Sequence, residues 1–208
     1  MGFSDNTGVV IIQYNAGNIQ SVLYALERIG IQAVVTDNPE EIRKASRVIF
    51  PGVGEASSAM KYLKERKLDE LIISLRQPVL GICLGMQLLC KYSEENNTQC
   101  LGIFDEEPRH FDLIQQSPGE DLNFKIPQIG WNNIYDLESD LFLGIPENSY
   151  CYFVHSYFAD LGQHTIARTK YGKQYSSALQ KNNFYGVQFH PEKSAAVGER
   201  ILRNFMEI

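Results

Sequence analysis

The chain of 208 residues has no apolar run near the roughly 18 residues that a membrane-spanning helix needs, and its longest such run close to the start is Val9 to Ile12. That run is too short even for the apolar part of a secretory signal, so neither export nor membrane insertion is expected. An excess of positive charge is also missing. Nineteen Lys and Arg stand against twenty-five Asp and Glu, for a net charge of −6 without a polybasic run, so the overall field repels nucleic acid and anionic membranes. Cysteine is sparse: Cys83, Cys90, Cys100 and Cys151 form no C-x-x-C pair and have no matching histidine spacing. Neither a zinc site nor a redox dithiol is indicated, and four reduced thiols in a cytoplasmic protein are the expectation. Walker A, H-E-x-x-H and EF-hand patterns are absent, so no metal and no cofactor is expected. Met1-Gly2 lacks the Ser or Thr at position 6 that myristoylation favours, having Asn6 instead. Repeats, linkers and low-complexity tracts are lacking too, which predicts one domain over 1–208.

What is present is a chain with 44% hydrophobic and 21% charged residues, long enough to bury a substantial core without staples. Its first half alternates short apolar runs with amphipathic helical patterns, the mark of βαβ units around a parallel sheet. Val9 to Tyr14, Ala33 to Val35, Arg47 to Phe50 and Val79 to Ile82 read as strands. After Ala16-Gly17, an Asn18 cap opens a helix with Ile19, Val22, Leu23, Leu26 and Ile29 at helical spacing, ended by Gly30. Asn38-Pro39-Glu40-Glu41 starts another helix, and Ala56 to Lys64, Leu68 to Leu75 and Leu84 to Tyr92 continue the alternation. The parallel core is expected to end there. Beyond a polar stretch, Asp105 to Asp121 with Pro108, Pro118 and Gly119, aromatic strand-like segments follow: Gln128 to Tyr135, Tyr150 to Phe158, Thr165 to Thr169, Tyr175 to Gln180 and Phe184 to Phe189. They predict antiparallel strands closing one edge of an open, mostly parallel sheet with flanking helices, before a last helix from Ala195 to Met206.

The segment Val79-Leu80-Gly81-Ile82-Cys83-Leu84-Gly85-Met86-Gln87 runs an apolar strand through G-x-C-x-G into a helix. It is a nucleophile elbow carrying cysteine. A sharp strand-to-helix turn crowds the backbone, so glycines stand two before and two after the nucleophile. The turn also sets the sulfur at a helix N-terminus, which favours thiolate over thiol. An isolated cysteine is usually a core residue, and that reading suits Cys90, two helical turns on. Gln87 shares a helix face with Cys83 and can reach the polar end of a substrate, or else be a solvated helix Gln.

A thiol nucleophile needs a base, and His110, His155, His164 and His190 are the choices. His190 ends the apolar run Phe184 to Phe189 and precedes Pro191-Glu192. Pro191 biases His190 toward extended backbone, in which residues two apart project to one side, so Glu192 can bind and orient the imidazole. Cys83, His190 and Glu192 make a triad. The strand Arg47 to Phe50 runs into Pro51-Gly-Val-Gly54, whose glycines let backbone N–H groups approach a developing oxyanion; Val53 N–H and Leu84 N–H are the candidate donors. A dinucleotide fingerprint is the weaker reading of Gly52-x-Gly54, because Ser57 occupies the third glycine position and the motif sits on the third strand.

With these residues in place, the sequence resembles the class I glutamine amidotransferases. Pro51-Gly-Val-Gly54, Gly81-Ile-Cys-Leu-Gly-Met-Gln87, Ile129-Gly-Trp-Asn132, Tyr152-Phe-Val-His-Ser-Tyr157 and His190-Pro-Glu-Lys-Ser194 together span nearly the whole chain. Within the family they are most similar to the glutaminase subunits of imidazole glycerol phosphate synthases, of histidine biosynthesis. The resemblance implies that Cys83 attacks the glutamine side-chain amide, that His190 protonates the departing ammonia, and that water hydrolyses the thioester. It places Gly52, Gln87, Ser156 and Tyr157 around the glutamine. It also implies a heterodimer with a (β/α)8-barrel cyclase, which receives the ammonia unprotonated and makes imidazole glycerol phosphate and aminoimidazole carboxamide ribotide. Asn18, Trp131, Tyr152 and Lys193 lie where the family meets that cyclase, although the two aromatics also suit a core and Lys193 a solvated surface. Low activity without the liganded partner is a further family expectation. One departure is the first turn, Gln13-Tyr14-Asn15-Ala16-Gly17-Asn18 against a usual Asp-Tyr-Gly-x-Gly-Asn. Asn15 tolerates the left-handed backbone that glycine would supply, but a carboxylate near the partner is lost. Alternatives are a glutaminase serving pyridoxal phosphate or anthranilate synthesis, a hydrolase of α/β-hydrolase type, in which the acid precedes the final His, and a non-catalytic regulatory or redox-sensing cysteine protein of the same fold.

Overall fold

The apolar runs form the centre of a seven-stranded sheet in a computed structural model that describes residues 8–15, 17–112 and 124–208. Met1-Gly2, Asn6, Ala16 and the part of the polar stretch holding Pro118 and Gly119 lie outside the described residues. In chain order the elements are β1 (Val9–Ile12), α1 (Ile19–Arg28), β2 (Ala33–Thr36), α2 (Pro39–Lys44), β3 (Arg47–Gly52), α3 (Ala56–Glu65), α4 (Leu68–Ser74), β4 (Val79–Cys83) and α5 (Leu84–Leu89). The short strands β5 (Tyr92–Ser93), β6 (Thr98–Gln99) and β7 (Arg109–His110) follow, then β8 (Gln128–Ile134), β9 (Ser149–His155), β10 (Tyr157–Phe158), β11 (Thr165–Tyr171), β12 (Lys173–Lys181), β13 (Phe184–Val187) and α6 (Ala195–Glu207).

The strand order is β11-β12-β13-β4-β3-β1-β2, with β2, β1, β3, β4 and β13 parallel and β12 and β11 antiparallel at one edge. All of β1 and β4 is buried, as strands covered on both faces must be. One face is closed by α2 to α5 through Ile42, Met60, Leu63, Ile72 and Leu88. The other is closed by α1 and α6, through Val22, Leu26, Ile201, Leu202 and Phe205, and by Phe153 of β9. Asn38 caps α2 as its sequence predicts, its side chain accepting from Glu40 N at 2.9 Å ahead of Pro39. No helix among the described residues is long and apolar enough to cross a membrane.

Three expectations are corrected. Phe184–Val187 is not an antiparallel edge strand but a parallel member of the core, beside β4. Gln128–Ile134 and Ser149–His155 do not extend the main sheet; they pair with each other in a separate antiparallel ribbon. The helix after Cys83 stops at Leu89 rather than near Tyr92. Its last carbonyls are claimed by the returning chain, since Leu101, Gly102 and Ile103 donate to Leu88, Cys90 and Leu89. Cys90 is fully buried, as its core reading requires.

Candidate active site

The elbow is built by close approach of backbone. A Cβ on Gly85 would stand 1.8 Å from the Phe50 carbonyl oxygen, and one on Gly81 would stand 2.7 Å from Leu89 and 2.9 Å from the Gly85 main chain. Both glycines are therefore steric necessities. Between them Cys83 sits at φ 54° and ψ −111°, a conformation that costs a non-glycine residue on the order of 1–3 kcal/mol and is held by the surrounding sheet. Register places Gly52 of β3 directly beside Cys83 of β4. Tyr14 fixes the Pro51-Gly-Val-Gly54 turn, donating from its hydroxyl to the Pro51 carbonyl at 2.7 Å.

The sulfur opens on a cavity of about 290 Å³ lined by Val53, Leu84, Gln87, Ser156, Tyr157 and His190, among others. His190 Nδ1 is 2.7 Å from Glu192 Oε1, and His190 lines the same cavity as Cys83. Burial works against charging that ring, but the Cys83 sulfur and the Glu192 carboxylate outweigh it and raise the His190 pKa to about 10. At neutral pH the ring is an imidazolium near the Cys83 sulfur. The expected His190 to Glu192 contact is present, but its route differs from the expected one. His190 is extended, whereas Pro191–Lys193 turn through a 3-10 helix that swings Glu192 back under the ring. Glu192 Oε1 also accepts from the Asn18 amide at 2.5 Å. Asn18 thus corrects the capping expectation: it stands at the N-cap of α1 with φ 74°, yet its side chain bonds Glu192 and not the helix.

The other histidines do other things. His155 lines the cavity, but its Nδ1 meets the Tyr157 carbonyl at 2.7 Å and its Nε2 faces Gln128 and Tyr175. Burial above all lowers its pKa to about 4, aided by the nearby His190 charge and opposed by the Tyr157 carbonyl, so it stays neutral. His110 and His164 pair with Asp112 and Asp105. Gly52, Gln87, Ser156 and Tyr157, the residues placed around glutamine by resemblance, converge here: three line the cavity and Gly52 flanks Cys83. Sequence reading missed Glu95, which lines the same cavity and accepts through its carboxylate from Ala56 N at 2.7 Å; nothing in its local pattern marks it. The motif reading gives Ser194 no role of its own and leaves Gln188 out of the site, although both stand close to His190 in the chain.

A face beside the cavity gathers the remaining candidates. Trp131 pairs with Tyr152 across the β8–β9 ribbon, with ring centroids 6.0 Å apart and edge to face. Trp131 is 53% exposed, next to Ile129 at 63% and Tyr150 at 60%, so it is no core aromatic. Lys193 Nζ lies 6.0 Å from the Tyr152 ring centroid, and Lys193 is one of the residues lining the cavity. Asn18, partly buried, completes the set through Glu192.

The sequence profile of the family "Glutamine amidotransferase class-I" matches residues 10–208, and the chain belongs to that family. The fold agrees with solved structures of a glutamine amidotransferase, with a TM-score of 0.70, 21% identity and coverage of 96% of this chain and 98% of that one, and of PurLQS from Thermotoga maritima, with 0.68, 14%, 96% and 97%. More narrowly, the chain belongs with the proteins named "Imidazole glycerol phosphate synthase subunit HisH". It is 53% identical over 200 residues to the Bacteroides fragilis relative, covering 96% of this chain and 99% of that protein. It is 49% identical over 213 residues to that of Shewanella loihica (98% and 92% covered) and 44% identical over 207 residues to that of Vibrio cholerae (96% and 98%). The resemblance drawn from the motifs is borne out, and the alternatives serving pyridoxal phosphate or anthranilate synthesis, of α/β-hydrolase type, or without catalysis are not favoured.

Proposed function

We propose that this chain, acting as one domain over 1–208, hydrolyses glutamine to glutamate and ammonia and supplies the ammonia to a cyclase subunit of imidazole glycerol phosphate synthase. The observation that carries the reading is one cavity lined by both the elbow Cys83 and a His190 whose ring is hydrogen-bonded to the Glu192 carboxylate. The sulfur attacks the side-chain carbonyl carbon; a C–S bond forms while the carbonyl π pair moves to oxygen, beside Val53 and Leu84 at the oxyanion turn. The oxyanion then collapses, the C–N bond breaks, and the His190 imidazolium gives its proton to the departing nitrogen, releasing ammonia. Neutral His190 next takes a proton from water as the water oxygen attacks the thioester, and the C–S bond breaks to give glutamate. Glu192 keeps one ring nitrogen occupied throughout, so the other stays aimed at the reacting atoms.

In the cavity, Gln87, Glu95, Ser156 and Tyr157 surround the amino-acid end of the substrate, with Glu95 the carboxylate available to its α-ammonium. The partner is a (β/α)8-barrel cyclase, bound as a heterodimer in the cytoplasm, that makes imidazole glycerol phosphate and aminoimidazole carboxamide ribotide. The relatives' shared name supports a partner subunit. The exposed ribbon around Trp131 and Tyr152, with Lys193 and Asn18, supplies aromatic anchors and a cation for docking. Docking there covers the cavity mouth and keeps ammonia from water, where it would be protonated and lost. The test is ammonia rescue. The Cys83→Ala complex is expected to lose glutamine-dependent synthesis and retain ammonia-dependent synthesis; loss of both would contradict this division of labour.

A further inference from the structure

Gln188 is fully buried between β13 and His190. Its main chain is fixed by β12, the amide donating to the Ser177 carbonyl at 2.8 Å. Its side chain touches two groups of the cavity: Oε1 accepts from Gln87 Nε2 at 2.9 Å, and Nε2 donates to Cys83 Sγ at 3.7 Å. The direction of this chain of amides follows from a group that cannot be flipped. Gln87 Nε2 also donates to the Tyr157 main-chain carbonyl at 3.2 Å, and a carbonyl only accepts. The Gln87 amino group is therefore fixed, Gln188 must present its oxygen to it, and the Gln188 amino group is left facing sulfur.

We propose that Gln188 is a positioning residue for the glutaminase reaction, acting at once on the Cys83 sulfur and on the Gln87 amide. This rests on the glutaminase reading above. A neutral thiol donates to the Val154 carbonyl, 3.7 Å away, and on losing its proton the sulfur can only accept. The Gln188 N–H is already aimed at it, in a buried site where such a bond stabilises the charged form. At the other end, Gln188 and Tyr157 occupy the Gln87 amino group and leave its carbonyl oxygen as the polar group offered to the cavity. Gln87 is thereby fixed as an acceptor for a substrate N–H.

The test uses the full chain and two variants, Gln188→Glu and Gln188→Met. Alkylation of Cys83 by iodoacetamide is followed against pH by the mass of its peptide, and KM and kcat are measured for glutamine. Gln188→Glu keeps an acceptor for Gln87 but sets a carboxylate oxygen against sulfur. Alkylation at pH 7 is expected to fall about tenfold, the loss of one hydrogen bond to a charged group, and its pH profile to move to more alkaline values while KM stays within about twofold. Gln188→Met removes both contacts, so KM rises as well. A folded variant that alkylates like the parent, on the same pH profile, overturns the proposal. Where a variant fails to fold, the parent itself decides: the Gln188 side-chain amide resonances should follow the titration that governs alkylation and lose that response in Cys83→Ala, and an unresponsive amide overturns the proposal. The two readings fail separately. A shifted alkylation profile in a chain that never hydrolyses glutamine refutes the glutaminase function alone, whereas normal hydrolysis with unshifted alkylation refutes the role of Gln188.

Discussion

Tyr152 grips His190 through both of its main-chain groups. Its carbonyl accepts from the His190 amide at 2.9 Å, and its own amide donates at 2.9 Å to Ser194 Oγ, which donates in turn to the His190 carbonyl at 2.6 Å. The same residue turns its ring outward against Trp131. A single position on β9 therefore joins the exposed face to His190.

Ser194→Ala removes the bridge and leaves the Tyr152 amide and His190 carbonyl without it. Loss of about 1–3 kcal/mol in stability is expected, by denaturant titration, together with a fall in kcat that exceeds any change in KM, because the base and not the substrate is released. An unchanged kcat would show that Ser194 is dispensable for holding His190.

Gly85→Ala tests the elbow. A Cβ 1.8 Å from the Phe50 carbonyl forces β3 away from β4 and with it Gly52 away from Cys83. The variant is expected to lose at least about 3 kcal/mol or fail to fold, measured by thermal unfolding, whereas an exposed helix Gly→Ala change would stabilise.

His155 gives a pH dependence whose sign is fixed by burial. Its pKa is about 4 in the folded chain against an ordinary 6.5. Below pH 6.5 the unfolded chain takes up a proton that the folded one refuses, so the His155 contribution to stability is complete above 6.5 and drains as pH falls toward 4, by about 3 kcal/mol. Denaturant unfolding across that window should show this slope, and His155→Gln should flatten it.

These features differ in how far the sequence alone discloses them. The parallel units were legible because β1, β3 and β4 are short apolar runs and α1 carries a stripe of helical period. The elbow and the His190–Glu192 contact were legible because the elbow is local and His190 and Glu192 are near neighbours, even though a 3-10 turn and not extended chain joins them. The parallel pairing of β13 was hidden, since an apolar strand reads alike in either direction and its neighbour is chosen by the crossover. The end of α5 was hidden because residues 101–104, not its own sequence, take its last carbonyls. Glu95 and the Gln87–Gln188 contact depend on long-range packing that no local spacing announces.

Trp131→Ala addresses the exposed ribbon. With the ring 53% exposed, the change should alter the stability of the isolated chain by less than about 1 kcal/mol. As a central aromatic anchor it should weaken cyclase binding by about 2 kcal/mol, or about thirtyfold in Kd, read by titration calorimetry. Undiminished affinity would move the docking face elsewhere.

The most direct measurement of the whole account is glutamate release from glutamine by the purified chain, alone and with the cyclase subunit and its nucleotide ligand, with Cys83→Ala as the control. Strong stimulation by the liganded partner, abolished in Cys83→Ala, is the predicted result. Absence of release in both conditions, or release that survives Cys83→Ala, would contradict it.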